Sequence, residues 1–306
     1  AEARMTFNEL SAWFLGLEKV KSMKYFRTLE INLRNFNSIL GNTIVGNLKP
    51  LDLENYQAKR KAAGYADCYI DHEIGAARAM INKAFDNDLV GGDTLKTFKK
   101  VKKLLKKNAN ARTKILTPEQ FQGLLSRLPA HTRAIVATAF YTGMRRGEIL
   151  SLTWDKVDMK TRMINLEAAN TKDNEARKIP ICGPLYEILS RIPKAIHDDH
   201  VFLYQGHPVK ELRRSLKTAC KKAGIVQGRF EKDGFVFHDL RHCFNTYMRK
   251  AGVPESVIME ITGHSTREMF DRYNTIDEDD RRNAIERMYS FLKSVDQNVD
   301  QEEKRG

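Results

Sequence analysis

Cysteine is scarce in this chain: Cys68, Cys182, Cys220 and Cys243 stand far apart, with no C-x-x-C pair among them. Such spacing excludes a disulfide framework and a thiolate zinc site, so free, reduced thiols are expected. Long apolar runs are missing too. No segment approaches the ~20 apolar residues that cross a bilayer, and no charged start followed by an apolar stretch marks a secretory signal. The expectation is a soluble, cytoplasmic protein without a membrane partner. Acidic residues are outnumbered: 39 Asp and Glu face 52 Lys and Arg, for a net charge of +13. A surplus of that size points to a polyanionic partner, with nucleic acid the foremost class. What is present is apolar material, 42% of 306 residues, enough to bury two separate cores.

Residues 5 to about 92 read as helices alone. Thr6 precedes Glu9 at the spacing of a capping box, and Phe7, Leu10, Phe14 and Leu17 follow at helical intervals. A second helix is expected over residues 22 to 40, striped by Phe26, Leu29, Leu33, Phe36 and Leu40 and stopped by Gly41. A third starts at Pro50 and Asp52 and runs to Gly64; a fourth covers residues 67 to 89 and ends at Gly91-Gly92. Together they make a small bundle, to which Lys24, Arg27, Arg34, Lys59, Arg60, Lys61, Arg78 and Lys83 are expected to give a basic exterior. From residue 94 to residue 114 no acid occurs, while Lys96, Lys99, Lys100, Lys102, Lys103, Lys106, Lys107, Arg112 and Lys114 accumulate. The first half of this run suits a helix burying Leu95, Phe98, Val101 and Leu105, and the remainder suits a linker, with a domain boundary near residues 107 to 113. Against duplex DNA these cations would neutralise phosphates and release counterions, adding affinity without sequence information and a steep salt dependence.

Thr117-Pro118-Glu119-Gln120 is a strong helix start and opens a second domain. An apolar helix over residues 132 to 141 follows and stops at Gly143, and T-G-M-R-R-G-E then sets Arg145 and Glu148 one turn apart at the head of the next helix. Free amides at a helix start favour an anion, and Glu148 is placed to hold Arg145. Residues 163 to 166 and 177 to 181 read as two short strands around a polar turn, Asn170 to Glu175, which puts Lys172 at or near a hairpin tip. Helical patterning returns from residue 185 to residue 222, interrupted between His197 and Pro208. In F-H-D-L-R-H-C-F-N-T-Y, Leu240, Phe244, Tyr247 and Met248 share a side that wants a core, and His238, Arg241, His242 and Asn245 share one that wants a polar partner. That helix ends at Gly252. A shorter one begins at Pro254, turns Val257, Ile258 and Ile261 inward and stops at Gly263, just before His264. Ser265-Thr266-Arg267-Glu268 is a capping box for a helix carrying Met269, Phe270 and Tyr273, and a last helix over residues 278 to 294 carries Ile285, Met288, Tyr289 and Leu292 on one stripe.

Taken singly these are ordinary features: a solvated face, a surface ion pair, a core aromatic. Their order, Arg145, Lys172, His238-x-x-Arg241, Gly263-His264 and then Tyr273 nine residues after His264, resembles the tyrosine recombinases of the phage integrase family over residues 113 to 292. The fold class expected is mainly α with a small antiparallel β-sheet. The resemblance divides the chain into a helical core-binding domain over residues 1 to 107, a basic linker to about residue 113, an α+β catalytic domain over 114 to 294, and a polar tail, 295 to 306, expected to be disordered.

The resemblance implies a site-specific recombinase that integrates or excises a prophage or other mobile element. Tyr273 would attack a phosphodiester to give a 3′-phosphotyrosyl link and a free 5′-hydroxyl, conserving the bond energy so that no ATP or other cofactor is needed. Arg145 and Arg241 would clamp the non-bridging oxygens, Lys172 would protonate the leaving 5′ oxygen, His238 would assist proton transfer and His264 would donate a hydrogen bond to the phosphate. Glu148 would orient Arg145 and His238. No metal is implied; a zinc reading of His238 and His242 lacks the glutamate of H-E-x-x-H and a third ligand. The partner implied is double-stranded DNA, bound as a homotetramer on two sites through the C-terminal helix, with accessory factors setting direction. The chain reaches its bundle almost at Ala1, leaving no room for the arm-binding domain of many integrases, which suits either a fragment or a shorter Xer-like recombinase. Two alternatives share the fold: a type IB topoisomerase, which rejoins the original strand and acts as a monomer, and a DNA-binding regulator that has lost catalysis.

Overall fold

A computed structural model describes residues 4–106, 109, 112, 114–167, 176–271, 278, 281, 282 and 284–290. The chain divides into two compact units, Ala1–Ala109 and Asn110–Gly306. No helix among the described residues is long and apolar enough to cross a membrane. The architecture is mainly helical with small antiparallel sheets.

The first unit holds helices α1 (Phe7–Gly16), α2 (Glu18–Lys21), α3 (Phe26–Leu40), α4 (Pro50–Ala62), α5 (Asp67–Phe85) and α6 (Gly92–Lys100). The Thr6 hydroxyl accepts from the Glu9 amide, and the Glu9 carboxylate accepts from the Thr6 amide at 2.8 Å, so α1 starts on a reciprocal cap. The helix expected from residue 22 begins at Phe26. Ser22 closes α2 by donating to the Lys19 carbonyl, and the chain makes a turn before α3. The fourth expected helix stops at Phe85 instead of Leu89, because Leu89 folds its amide back onto the Ala84 carbonyl while Asp88 takes a left-handed φ of 55°. Likewise α6 ends before Val101, and the Asp71 carboxylate takes the amides of Leu104 and Leu105. The core centres on Phe7, Phe36, Tyr56 and Phe98, packed edge-on or tilted, with α5 at its middle. Arg60 departs from the basic exterior read from sequence. It is buried against Glu73, which also accepts from Tyr56 Oη at 2.7 Å and Asn35 at 3.0 Å.

The second unit contains α7 (Pro118–Ser126), α8 (Ala130–Thr142), α9 (Arg146–Leu150), β1 (Val157–Asp158), β2 (Met163–Leu166), β3 (Arg177–Pro180), α10 (Gly183–Ser190), β4 (Leu203–Tyr204), β5 (His207–Pro208), α11 (Arg213–Lys222), α12 (Asp239–Lys250), α13 (Glu255–Thr262) and α14 (Arg267–Asp271). Strands β1, β2 and β3 form an antiparallel sheet in which Ile164 faces Ile179, both fully in the core. The β4–β5 hairpin fills the interruption seen before α11; its turn uses Gln205 and Gly206 at positive φ. Helix α8 packs against α12, and the core between them takes in Ile135, Val136, Ala139, Leu240 and Cys243. Helix α12 is not divided into a dry and a wet face: Asp239, Arg241, His242, Asn245 and Thr246 are as buried as Leu240 and Cys243. On α13, Ile258 is buried, whereas Val257, expected inward, is 42% exposed. Ile285, Met288 and Tyr289 on the helical residues 284–290 are exposed; their stripe partner Leu292 and the tail lie outside the described residues.

Candidate active site

Two helix ends build the site in the same way. Helix α8 terminates at Gly143 with φ of 64°, and α13 terminates at Gly263 with φ of 67°. Left-handed backbone suits glycine, and here packing demands it as well. A Cβ at Gly143 would lie 2.6 Å from the Phe244 ring, and one at Gly263 would lie 2.8 Å from Arg177 Nη1. Each glycine turns its carbonyl onto an arginine from elsewhere in the chain. The Gly143 carbonyl accepts from Arg241 Nη1 at 2.7 Å, and the Gly263 carbonyl accepts from Arg145 Nη2 at 3.0 Å.

Arg145 caps the short helix α9. Its backbone N–H donates to Glu148 Oε2 at 2.9 Å and its Nη1 to Glu148 Oε1 at 3.1 Å, so the carboxylate fixes both ends of the residue. Glu148 is buried and has a further cationic partner, Arg177 at the start of β3, whose Nη2 donates to Oε2 at 2.6 Å. Arg177 Nε donates to the Ile261 carbonyl at 3.0 Å, which fastens β3 to the end of α13. Sequence reading passed over Arg177. Its signal was an arginine at an inward position of a strand, where burial of a charge requires a partner.

Arg241 is almost wholly buried, and its Nη2 lies 3.0 Å from His264 Nε2. A guanidinium only donates, so Nε2 accepts and the ring carries its proton on Nδ1. The other side agrees: Nδ1 stands 2.7 Å from Thr262 Oγ1, which itself donates to the Ile258 carbonyl and has a lone pair to offer. Burial, followed by repulsion from Arg241 and Arg145, pushes the His264 pKa down to about 3, which keeps the ring neutral. In this structure His264 is therefore an acceptor for Arg241, and the Nε2 proton that the expected hydrogen bond to phosphate requires is not on the ring. His238 sits at the cap of α12 one turn before Arg241 with an outward edge in solvent. Desolvation by the wall behind it and repulsion from Arg241 lower its pKa to about 4, so it too is neutral near pH 7.

Asp239, between His238 and Leu240, is buried and receives Arg112 Nε at 2.7 Å and Nη2 at 2.8 Å, besides the Val236 amide at 2.8 Å. Arg112 also reaches the carbonyls of Gly234 and Arg229. From sequence Arg112 belongs with the DNA-binding cations; in the structure its guanidinium is engaged with Asp239 and holds the loop before α12. Lys96, Lys99, Lys100, Lys102, Lys103 and Lys106 are exposed, while Lys107 lies outside the described residues. Lys172 and Tyr273 also lie outside them. The structure thus brings Arg145, Arg241, Glu148 and His264 together, with His238 beside Arg241. Among the described residues no group of His, Cys, Asp or Glu is arranged to hold a metal ion.

The model of the phage integrase family matches residues 114–279, more than half of the chain. The chain belongs to the phage integrase family. The integrase of Salmonella phage P22 is 28% identical over 180 residues, a match that takes in 54% of this chain and 44% of that protein. Tyrosine recombinase XerA of Pyrococcus furiosus is 25% identical over 247 residues, covering 77% of this chain and 79% of that one. Among solved structures, the Tn1549 transposon integrase in complex with circular intermediate DNA superposes with a TM-score of 0.68 at 21% identity, over 92% of this chain and 99% of that one. A lambda integrase dimer bound to a COC′ core site gives 0.70 at 14% identity, over 90% and 81%. These likenesses establish the tyrosine recombinase fold for this family member, and with relatives that are integrases and Xer recombinases they do not favour the topoisomerase or regulator readings.

Proposed function

We propose that this chain is a site-specific DNA recombinase that cuts and rejoins strands through a 3′-phosphotyrosyl intermediate, moving a prophage or other mobile element. The observation that carries the reading is the convergence of Arg145 and Arg241, each hooked on a glycine carbonyl, into one corner in which the Glu148 carboxylate holds Arg145. Planar guanidiniums match the non-bridging oxygens of a phosphodiester, and rigid donors stabilise charge that develops as the phosphorane forms. Tyr273 attacks phosphorus, and Lys172 protonates the departing 5′ oxygen. His238, neutral and facing solvent, is suited to relay the tyrosyl proton; His264 orients Arg241. The exposed lysines from Lys96 to Lys106 supply phosphate contacts, joined by Arg213, Arg214, Lys217, Lys221 and Lys222 on the outer face of α11. The exposed stripe of Ile285, Met288 and Tyr289 is suited to dock on another subunit in a tetramer on two DNA sites.

A nicked suicide duplex tests the chemistry. Wild type is expected to yield a covalent protein–DNA adduct that Tyr273→Phe does not; no adduct from wild type on cognate DNA, or an adduct from the variant, refutes the reading. For the assembly, gel filtration with cognate DNA should give a tetramer that Tyr289→Glu disrupts, and an unchanged elution volume would remove the proposed role of the stripe.

A further inference from the structure

Residues 101 to 106 form no helix or strand, yet their backbone is fastened to the bundle. Beyond Lys100 the chain leaves α6; Val101 enters the core and Leu104 packs against it. Two helices supply the polar fastenings. Asp71 on α5 accepts the Leu104 amide on Oδ1 at 2.9 Å and the Leu105 amide on Oδ2 at 3.0 Å. Gln57, buried on α4, donates its Nε2 to the Lys102 carbonyl at 2.9 Å. On this held backbone Lys102, Lys103 and Lys106 are exposed, continuing from Lys99 and Lys100 at the end of α6. A run of like charges ordinarily stays unordered, and here the bundle spends two side chains on ordering one. A carboxylate suits the task because each of its oxygens takes a separate amide, whereas an asparagine has a single acceptor oxygen. Its negative charge beside a strip of lysines opposes an anionic partner, so attraction of that partner does not explain it. Anchoring does.

We propose that Asp71 is a positioning residue for DNA binding: by holding the amides of Leu104 and Leu105 it orders residues 101 to 106 before DNA arrives, so that their lysines meet phosphates without a further loss of backbone freedom. This rests on the reading above that these lysines contact phosphates. A segment ordered in advance gains affinity by avoiding the cost of ordering on binding. Counterion release is a separate quantity, set by the number of phosphates neutralised. A salt titration tells the two apart. Loosening the strip should lower affinity at every salt concentration and leave the slope as it was.

Binding of the full chain to a short duplex of arbitrary sequence is titrated over a range of salt with wild type, Asp71→Asn and Gln57→Met, alongside thermal melting and limited trypsin digestion without DNA. Asp71→Asn keeps one acceptor oxygen and turns an N–H group toward the other amide. It also removes a negative charge, which by itself would tighten binding. The expected result is binding about 10-fold weaker, equivalent to ordering the backbone of roughly one residue. The salt slope should change by less than about 0.5, since each phosphate contact contributes about 0.9. Trypsin should cut after Lys102, Lys103 or Lys106 sooner than in wild type, because cleavage follows the population of the released strip. Gln57→Met, which changes no charge, should weaken binding by about 3-fold, the scale of one neutral hydrogen bond, at the same slope. Unchanged or tighter binding by Asp71→Asn, a slope lowered by about 1 or more, or cleavage no faster than in wild type would overturn the proposal. If Asp71→Asn does not fold, Gln57→Met decides by the same three readings. Should Lys102→Ala and Lys103→Ala leave the slope at its wild-type value, the phosphate-contact reading fails, an outcome distinct from any effect of Asp71→Asn.

Discussion

Gly263→Ala is a one-methyl perturbation whose effect on activity should far exceed its effect on stability. The backbone there has φ of 67°, and holding an L-residue in the left-handed region costs about 1 kcal/mol. The added Cβ would lie 2.8 Å from Arg177 Nη1, closer than a relaxed Cβ comes, and 3.1 Å from its Cζ. Either the Arg177 guanidinium swings away from Glu148 and Ile261, or the turn moves and takes with it the carbonyl that accepts from Arg145 at 3.0 Å. A side-chain shift limits the stability loss to about 1–3 kcal/mol, or about 2–10 °C in melting temperature for a unit of this size. Cleavage is affected through geometry, and a displacement near 1 Å in a clamp of this kind corresponds to roughly a 100-fold slower rate. Thermal melting and single-turnover cleavage of a suicide duplex on the same preparation give both numbers. A variant that melts within this range and still cleaves at the wild-type rate would show that the carbonyl hook does not fix Arg145.

Arg112→Ala strands the buried Asp239 carboxylate beside the Gly234 carbonyl, and losing about 3 kcal/mol of stability is expected. Its DNA binding should keep the wild-type salt slope, whereas Lys102→Ala and Lys103→Ala should each lower that slope by about 1; a lowered slope for Arg112→Ala would show that Arg112 neutralises a phosphate as well as holding Asp239. Acid should destabilise the second unit earlier than the carboxylates alone require. His264 and His238 have folded pKa values near 3 and 4, below the ordinary value of 6.5, so the unfolded chain binds more protons between those limits and stability falls as pH drops from about 6.5 towards 4. His264→Asn should flatten that part of the melting-temperature profile, and an unchanged profile would mean that the ring is not held neutral.

What the sequence made legible is whatever local chemistry decides. The capping boxes at Thr6 and Thr117, the stop at Gly143, the short strands at Met163 and Arg177 and the start after Pro254 depend on a few neighbouring residues, and the structure has all of them. Where a helix ended early, as at Phe85 and Lys100, the pattern of apolar residues ran on through a tertiary turn that only long-range contacts such as Asp71 with Leu104 impose. The same limit applies to charge. Arg60 and Arg112 look like any exposed cation in sequence, and both are buried or half-buried because an acid far away in the chain, Glu73 or Asp239, receives them. Arg145 and Glu148 were readable as a pair because they are one turn apart; Arg177 was not, since its partners come from α9 and α13.

Helix α12 shows why the polar residues of the H-D-L-R-H stretch resist a two-face reading. A helix with one apolar and one charged side is ordinarily half in water, but the charged side of α12 is covered by the turn at Gly143 and by the end of α13. Two acceptors of the buried Arg241 guanidinium are neutral, the Gly143 carbonyl and the His264 imidazole. Arg145 faces the opposite arrangement, with a carboxylate as its partner and a second arginine behind that carboxylate. A carboxylate in place of the His264 imidazole would pair with Arg241, stabilise the helix and weaken the clamp. On this argument His264→Asp, which places a carboxylate at the acceptor position, should raise the melting temperature or leave it unchanged while slowing cleavage more than His264→Asn does; the reverse order of rates would mean that a neutral acceptor at this position is not what the clamp requires.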